Sequence, residues 1–128
     1  MDITGVDFIA VPTQDYERAK DFYGGTLELP FVKRWGSMPA GEFQAGNLTI
    51  AVMQSDAFGM EFRRSATAVA LQVADVAAAR AELEGKGINF MPGEEPTMDS
   101  GVCHQAFFAD PDGNPLILHH RYAPPAAG

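Results

Sequence analysis

Hydrophobic and polar positions alternate with two different periods along this chain, and each change of period marks an expected element. From Ile3 to Val11, apolar residues recur loosely at every second position, which is typical of a half-buried β-strand. After Asp15 the period becomes helical, with four apolar residues on one face: Tyr16, Ala19, Phe22 and Tyr23. The pair Gly24-Gly25 is expected to end this helix. Alternation then returns and predicts three short strands, at residues 31–35, 41–45 and 48–53.

The same order of elements begins again after Ser65. Residues 69–73 predict a strand, Asp75 predicts a helix N-cap, and a helical stripe of apolar residues precedes a further strand predicted at 88–91. A shift of 60 positions places Asp15 on Asp75 and also matches three further pairs: Ala10 with Ala70, Ala19 with Ala79, and Gly25 with Gly85. We therefore infer an internal duplication of βαβββ modules, at about 1–54 and 66–122, with a linker at about 55–65.

A row of turn-forming residues lies between two apolar runs near the end of the chain, at Asp110-Pro111-Asp112-Gly113-Asn114. Proline fixes φ at about −65°, and glycine can supply a positive φ, so this stretch predicts a hairpin. Three motifs in this order resemble the vicinal-oxygen-chelate superfamily, which contains glyoxalase I, extradiol dioxygenases and bleomycin-resistance proteins: Asp15 with Ala19 and Phe22-Tyr23, then Asp75-Val76 with Ala79, then Asp110 to Asn114. The resemblance covers nearly the whole chain. It implies a single α+β domain, in which two tandem βαβββ modules form a curled mixed sheet, a cup with its helices on the outer face.

The resemblance also implies where a metal would bind. Metal-dependent members supply a His or Gln, a His and two Glu side chains to a divalent metal. The corresponding positions in this chain hold Phe8, Ala68, Ile50 or Ala51, and Ile117. None of these side chains can bind a metal, so we expect neither the superfamily metal site nor a cofactor.

The concave face of the cup is the expected binding site. Because side chains alternate along a strand, seven candidate ligand-binding residues share this face: Phe8, Ala10, Ala68, Ala70, Gln72, Ile117 and His119. Trp35 is a further candidate, as a stacking platform. These residues suit a small apolar or aromatic molecule, as in the antibiotic-sequestering members that the resemblance brings in.

Two alternatives to simple binding remain at this point. One is a metal-independent lyase or isomerase that uses His119 or His104 as its acid/base catalyst. The other is a metal site moved to three different donors, Gln72, His104 and His119.

Composition narrows the range of partners. The 128 residues carry a net charge of −8, which argues against nucleic acid or an anionic membrane and favours a neutral or cationic small molecule. The single cysteine, Cys103, cannot form an intramolecular disulfide, and the chain shows neither a signal peptide pattern nor an apolar run long enough for a membrane span. We expect a cytoplasmic protein.

We also expect a two-fold homodimer, because paired modules leave sheet edges free and proteins of this kind commonly close the cup with a second copy.

Overall fold

Each half of the chain builds one four-stranded mixed sheet with one α-helix packed against it. The structure, a computed structural model, describes residues 1–92 and 97–123. It consists of two units, of which the first comprises Met1–Ser65 with the turn Asp110–Asn114, and the second comprises Ala66–Ala109 with the chain from Pro115 onward. The predicted α+β class is confirmed.

The first unit follows the predicted order of strand, helix and three strands. Its elements are β1 (Ile9–Thr13), α1 (Tyr16–Lys20), β2 (Phe31–Arg34), β3 (Ala40–Ala45) and β4 (Leu48–Gln54). The strands lie in the order β1-β4-β3-β2, with β1 parallel to β4 and the other pairs antiparallel. A π-helix at Asp21–Thr26 continues α1 directly, and a 3-10 helix at Ser55–Phe58 follows β4.

The second unit repeats this order. Its elements are β5 (Val69–Gln72), α2 (Val76–Gly85), β6 (Met98–Asp99), β7 (Cys103–Ala109) and β8 (Pro115–Arg121). The sheet order is β5-β8-β7-β6, again with the first strand parallel to the last. The predicted N-caps are present in both units, since Asp15 Oδ1 accepts a hydrogen bond from Arg18 N at 3.1 Å and Asp75 Oδ1 accepts one from Ala78 N at 3.0 Å.

Two strand predictions were wrong in extent. Residues 3–8 form no strand, and β1 begins at Ile9, opposite Ile50 of β4. Because β4 itself begins at Leu48, most of the preceding segment has no neighbouring strand with which to pair. Residues 88–91 are also not a strand, and the short β6 pairs with β7 instead. The predicted linker begins with the 3-10 helix at Ser55–Phe58.

The core of the first unit lies between α1 and one face of its sheet. Tyr16 and Tyr23 are buried there together with Phe43 and Ile50. Gly41 is required at its position, because a Cβ atom on it would collide with the Tyr16 phenol. The core of the second unit is built in the same way, by Val76 and Leu83 of α2 together with sheet residues: Ala106, Phe108, Leu116 and Leu118.

The turn Asp110–Asn114 is a hydrogen-bonded centre of the first unit. Asp110 is buried, and its carboxylate accepts hydrogen bonds from the Tyr23 hydroxyl at 2.7 Å, from Asp112 N and Asn114 N at 2.9 Å each, and from Asn114 Nδ2 at 2.8 Å. Asn114 Nδ2 also donates to Pro12 O at 2.8 Å. This predicted hairpin motif therefore serves the fold, and its polar groups are used within it.

Asp112, in the same turn, binds the start of α1. Its carboxylate accepts hydrogen bonds from Thr13 Oγ1 at 2.5 Å, from Gln14 N at 2.9 Å and from Arg18 Nη2 at 2.9 Å. Gly113, at φ 88°, supplies the positive φ that the turn needs. Among the helices of the described chain, none is both long and apolar enough to cross a membrane.

Candidate functional site

The face of the first sheet that lies away from α1 is the first candidate surface. Cα partners place four residues in one row across β1, β4, β3 and β2: Ala10, Ala51, Glu42 and Lys33. The adjacent row contains Gly41, which lies against Tyr16 of α1, so side chains of the Ala10 row point to the opposite side. We call this surface the first open face.

Three aromatic side chains stand together at the first open face. The Phe8 and Trp35 rings are 5.4 Å apart at an interplanar angle of 66°, and the Trp35 and Phe58 rings are 6.4 Å apart at 86°. Such edge-to-face contacts add to the hydrophobic stabilisation of each ring. Phe8 nevertheless remains 40% exposed. The group presents aromatic surface beside the small residues Ala10 and Ala51.

A carboxylate lies within this aromatic group. The indole Nε1 of Trp35 donates a hydrogen bond to Glu42 Oε2 at 2.6 Å. Lys33 Nζ lies 4.0 Å from the same oxygen. The first open face therefore combines three rings with one acidic side chain.

The second open face is defined in the same way on the sheet of the second unit. Cα partners place Gln72, His119 and Gln105 in one row across β5, β8 and β7, and Ala70 and Ile117 lie in the row two residues away. The alternate residues of these strands form the buried core described above. The register therefore places Ala70, Gln72, Ile117 and His119 on one face of this sheet, together with Gln105.

The other two histidines lie on the opposite side of the second sheet. His104 of β7 pairs with His120 of β8, one position out of step with His119. His104 Nε2 lies 3.4 Å from Asp99 Oδ2. The alternative metal site of Gln72, His104 and His119 is therefore wrong, because His104 projects from the other face of the sheet.

Asp99 is held in place by neighbours near His104. Its carboxylate accepts hydrogen bonds from Gly101 N at 2.9 Å and from the Tyr122 hydroxyl at 2.7 Å. These hydrogen bonds, the Gly101 one most strongly, lower the pKa of Asp99, and the bond to Asp99 raises the pKa of Tyr122. Tyr122 also packs on the His104 ring at 4.9 Å. Asp99, His104 and Tyr122 thus form one connected group of side chains at the edge of the sheet.

The family positions for metal ligands can now be assigned by strand register. Ala10 pairs with Ala51 in the first unit, just as Ala70 pairs with Ile117 in the second, so the third position is Ala51 and not Ile50. The side chains at this position and at Phe8, Ala68 and Ile117 contain no N, O or S donor, and they do not fit the metal that the superfamily uses. Within residues 1–92 and 97–123, no three His, Cys, Asp or Glu side chains cluster as metal ligands.

Cys103 is buried at the start of β7. Ser100 Oγ lies 2.9 Å from its sulfur, and Gln105 Nε2 donates a hydrogen bond to the same atom at 3.4 Å. The thiol thus supports the carboxamide of Gln105, which leaves that side chain oriented beside His119.

A sequence model of the Glyoxalase/Bleomycin resistance protein/Dioxygenase superfamily matches residues 5–118. The match spans most of the chain, so the chain belongs to this superfamily, and the resemblance inferred from its three motifs is confirmed. A comparison with curated proteins gives no match.

Solved structures show the same fold. The chain is similar to TnmS3, an antibiotic binding protein from Streptomyces sp. CB03234, with 24% identity, a TM-score of 0.76, and coverage of 94% of this chain and 98% of that chain. It is also similar to a glyoxalase/bleomycin resistance protein/dioxygenase from Nocardioides, with 19% identity, a TM-score of 0.77, and coverage of 100% of this chain and 91% of that chain. The chain is similar as well to a lactoylglutathione lyase from Agrobacterium tumefaciens, with 15% identity, a TM-score of 0.72, and coverage of 93% of this chain and 95% of that chain. At these identities the likeness shows the fold alone.

Five residues of the open faces were absent from the predicted ligand-binding set: Lys33, Glu42, Ala51, Phe58 and Gln105. Glu42 carried one usable signal, since it is the only charged residue of the strand segment Ala40–Ala45. Phe58 lay in a segment interpreted as linker, and Gln105 is identified only by its pairing with His119.

Proposed function

We propose that this protein binds a small, largely apolar aromatic molecule at its open faces, without the metal that other members of its superfamily use. The observation that carries the proposal is the substitution of all four metal-ligand positions by apolar side chains, in a chain that presents an aromatic group at the same sheet surface. A site without a metal must gain its affinity from apolar contact and a few polar groups.

The first open face has the features that such binding needs. Phe8 and Trp35 offer aromatic surface, and the exposed Ala10 leaves room beside it, whereas Ala51 is fully buried. On the second open face, Ala70 and Ile117 offer small and apolar side chains in the row next to Gln72 and His119, and Ala68 directly precedes β5. The antibiotic binding described for TnmS3, a structural neighbour, supports the proposal and favours a sequestering role, as in antibiotic resistance.

A thermal-shift screen of planar aromatic compounds tests this proposal. A ligand present at 100 times its Kd should stabilise the folded protein by about 2.7 kcal/mol. Because Trp35 is the only tryptophan, its fluorescence reports binding at the first open face directly. A screen in which no aromatic compound raises the melting temperature or changes the tryptophan emission would contradict the proposal.

Variants of the second open face show whether it takes part. Ile117→Glu places a carboxylate on an apolar surface and should sharply reduce binding of an apolar ligand. His119→Ala should lower affinity by about 1 to 3 kcal/mol if the imidazole hydrogen-bonds the ligand. His120→Ala is the matched control, because its side chain leaves the opposite side of the same strand. If His120→Ala impairs binding and His119→Ala does not, the second face is assigned incorrectly.

A second candidate function, a metal-independent lyase or isomerase, is favoured by one observation. His119 lies between Gln72 and Gln105 in a single row of the second open face, where an acid/base group has two carboxamides beside it to orient a polar substrate. His104 is the weaker candidate, because it is engaged with Asp99 and Tyr122. If the protein turns over a compound found in the screen, His119→Ala should abolish turnover while sparing binding, and His104→Ala should not.

We also propose that the protein is a two-fold homodimer. The edge strand β2 supports this proposal, because all four of its residues are exposed, including Phe31 and Val32. A strand with one free edge and exposed apolar side chains favours association with another chain. Light scattering should give about twice the 13.8 kDa mass of one chain, and a value near that mass at micromolar concentration would reject the dimer.

A further inference from the structure

The carboxylate of Glu42 occupies an unusual position on the first open face. It belongs to β3, between the row partners Ala51 and Lys33, and its side chain is only 18% exposed. A largely desolvated carboxylate destabilises a fold unless hydrogen bonds or opposite charge compensate it. The partners of Glu42 therefore decide what the group can do.

One carboxylate oxygen is used and the other is open. Oε2 accepts the 2.6 Å hydrogen bond from the Trp35 indole. In the part of the chain that the structure describes, no donor reaches Oε1. Lys33 Nζ is 4.0 Å from Oε2, and its side chain is 67% exposed, so this pair is a weak, solvated one. Glu42 thus keeps a free acceptor oxygen, and Lys33 compensates its negative charge only weakly.

Among the described residues, no cation lies over the ring of Trp35 either. The described cation–π contacts involve other rings, with Lys20 over Phe31, Arg34 over Tyr16, and Arg80 over Phe90. Tryptophan is the strongest cation–π partner among the side chains, and its electron-rich faces attract ammonium groups. A carboxylate fixed to the edge of an indole by a hydrogen bond adds Coulomb attraction at the same place.

We propose that Glu42 and Trp35 form a cation subsite, which accepts a protonated amine, a quaternary ammonium or a cationic aromatic ring of the bound molecule. This inference rests on the proposed function and specifies its ligand class. Phe8 and Phe58 hold the indole in place by their edge-to-face contacts, so the subsite is built before the ligand arrives. The net charge of −8 favours the approach of a cation.

Two isosteric probes test the subsite. N-methylquinolinium is a planar cation, and 1-methylnaphthalene is its neutral counterpart of nearly the same shape. We expect the cation to bind the wild-type protein about tenfold more tightly in equilibrium dialysis, a ratio that corresponds to about 1.4 kcal/mol. Glu42→Gln should reduce this preference to less than about threefold and leave the affinity for 1-methylnaphthalene unchanged, because glutamine keeps an acceptor for the Trp35 indole.

Three further variants make the outcome decisive. Glu82→Gln, an exposed residue of α2, removes the same charge from the chain and should leave the preference intact, which separates a local effect from the overall field. Lys33→Met removes the competing cation and should raise the affinity for N-methylquinolinium about threefold. Should Glu42→Gln fail to fold, Lys33→Met and Trp35→Phe decide the matter, since the latter should lower cation binding more than neutral binding.

The outcomes separate the subsite from the function on which it rests. If both probes bind equally and no variant changes their ratio, the cation subsite is wrong and the proposed function stands. If neither probe binds, both are overturned. A preference for the cation that Glu82→Gln reduces as much as Glu42→Gln would also overturn the subsite, because the attraction would then be a property of the whole chain.

Discussion

Removing the hydroxyl of Tyr23 tests whether the polar groups of the turn Asp110–Asn114 stabilise the fold. The Tyr23 side chain is fully buried, and its hydroxyl donates to Asp110 Oδ2 at 2.7 Å. Its ring packs against Phe22 at 5.2 Å and Phe43 at 6.1 Å. Tyr23→Phe keeps these ring contacts and deletes only the hydrogen bond.

The expected loss of stability follows from the partners that remain. A hydrogen bond to a charged group contributes about 1.5 to 3 kcal/mol. Asp110 keeps its bonds from Asp112 N, Asn114 N and Asn114 Nδ2, so its carboxylate is not left without donors. We therefore expect Tyr23→Phe to lower the free energy of unfolding by about 2 kcal/mol at pH 7.

The same substitution should show a distinctive pH dependence. Burial, with the neighbouring Asp110 charge as a smaller cause, raises the pKa of Tyr23 far above its usual value. In the unfolded chain the phenol ionises at a pKa of about 10. A raised folded-state pKa gives stability that is complete below pH 10 and is lost as the pH rises further. The wild-type advantage over Tyr23→Phe should therefore shrink by about 1.4 kcal/mol between pH 9 and pH 11.

Urea unfolding followed by circular dichroism measures both effects. Tyr122→Phe is the matched control, because that phenol also donates to a carboxylate, Asp99, but is 47% exposed, so its loss should leave the stability nearly unchanged. A Tyr23→Phe protein as stable as the wild type at pH 7 would refute the structural role of the bond. A stability difference that stays constant up to pH 11 would refute the burial argument.

Further predictions concern the turn, the helix cap and the metal. Asn114→Ala should cost about 2 to 4 kcal/mol in urea unfolding, because its carboxamide bonds Pro12 O, Asp110 Oδ2 and Ser65 N. Asp75→Ala should cost about 1 kcal/mol through loss of the N-cap, and Asp75→Ser should recover most of it. The purified protein should contain no stoichiometric metal, and EDTA should leave its melting temperature unchanged; one tightly bound ion per chain would contradict this.

Local signals in the sequence were sufficient for much of the fold. The N-caps Asp15 and Asp75, the helical spacing after each and the turn residues around Gly113 act over a few positions, so their structures follow from the residues themselves. Strand pairing does not have this property. Residues 3–8 alternate as a strand does, but β4 begins too late to pair with most of them, and no local pattern reveals that limit.

The candidate sites depend still more on pairing between distant strands. The sequence left Ile50 and Ala51 as alternatives for one ligand position, and only the register of β1 with β4 selects Ala51. The register of β3 with β4 places Glu42 beside Ala51, and Lys33 lies opposite Glu42 because β2 and β3 change register between Phe31 and Lys33. The contact between Trp35 and Glu42 is therefore a consequence of sheet register. The sequence alone could suggest each residue as a candidate but could not predict that the two are in contact.

Polar side chains of this protein fall into two groups according to whether the fold uses their hydrogen-bonding capacity. The carboxylate of Asp110 accepts four hydrogen bonds within the first unit, so the most polar motif of the sequence has little left to offer a ligand. Glu42 has an oxygen that no described donor reaches, although most of its side chain is withdrawn from solvent. That oxygen is not fully buried, so solvent or a ligand can supply its donor. We therefore propose the open face around Glu42, and not the turn Asp110–Asn114, as the place where a ligand binds.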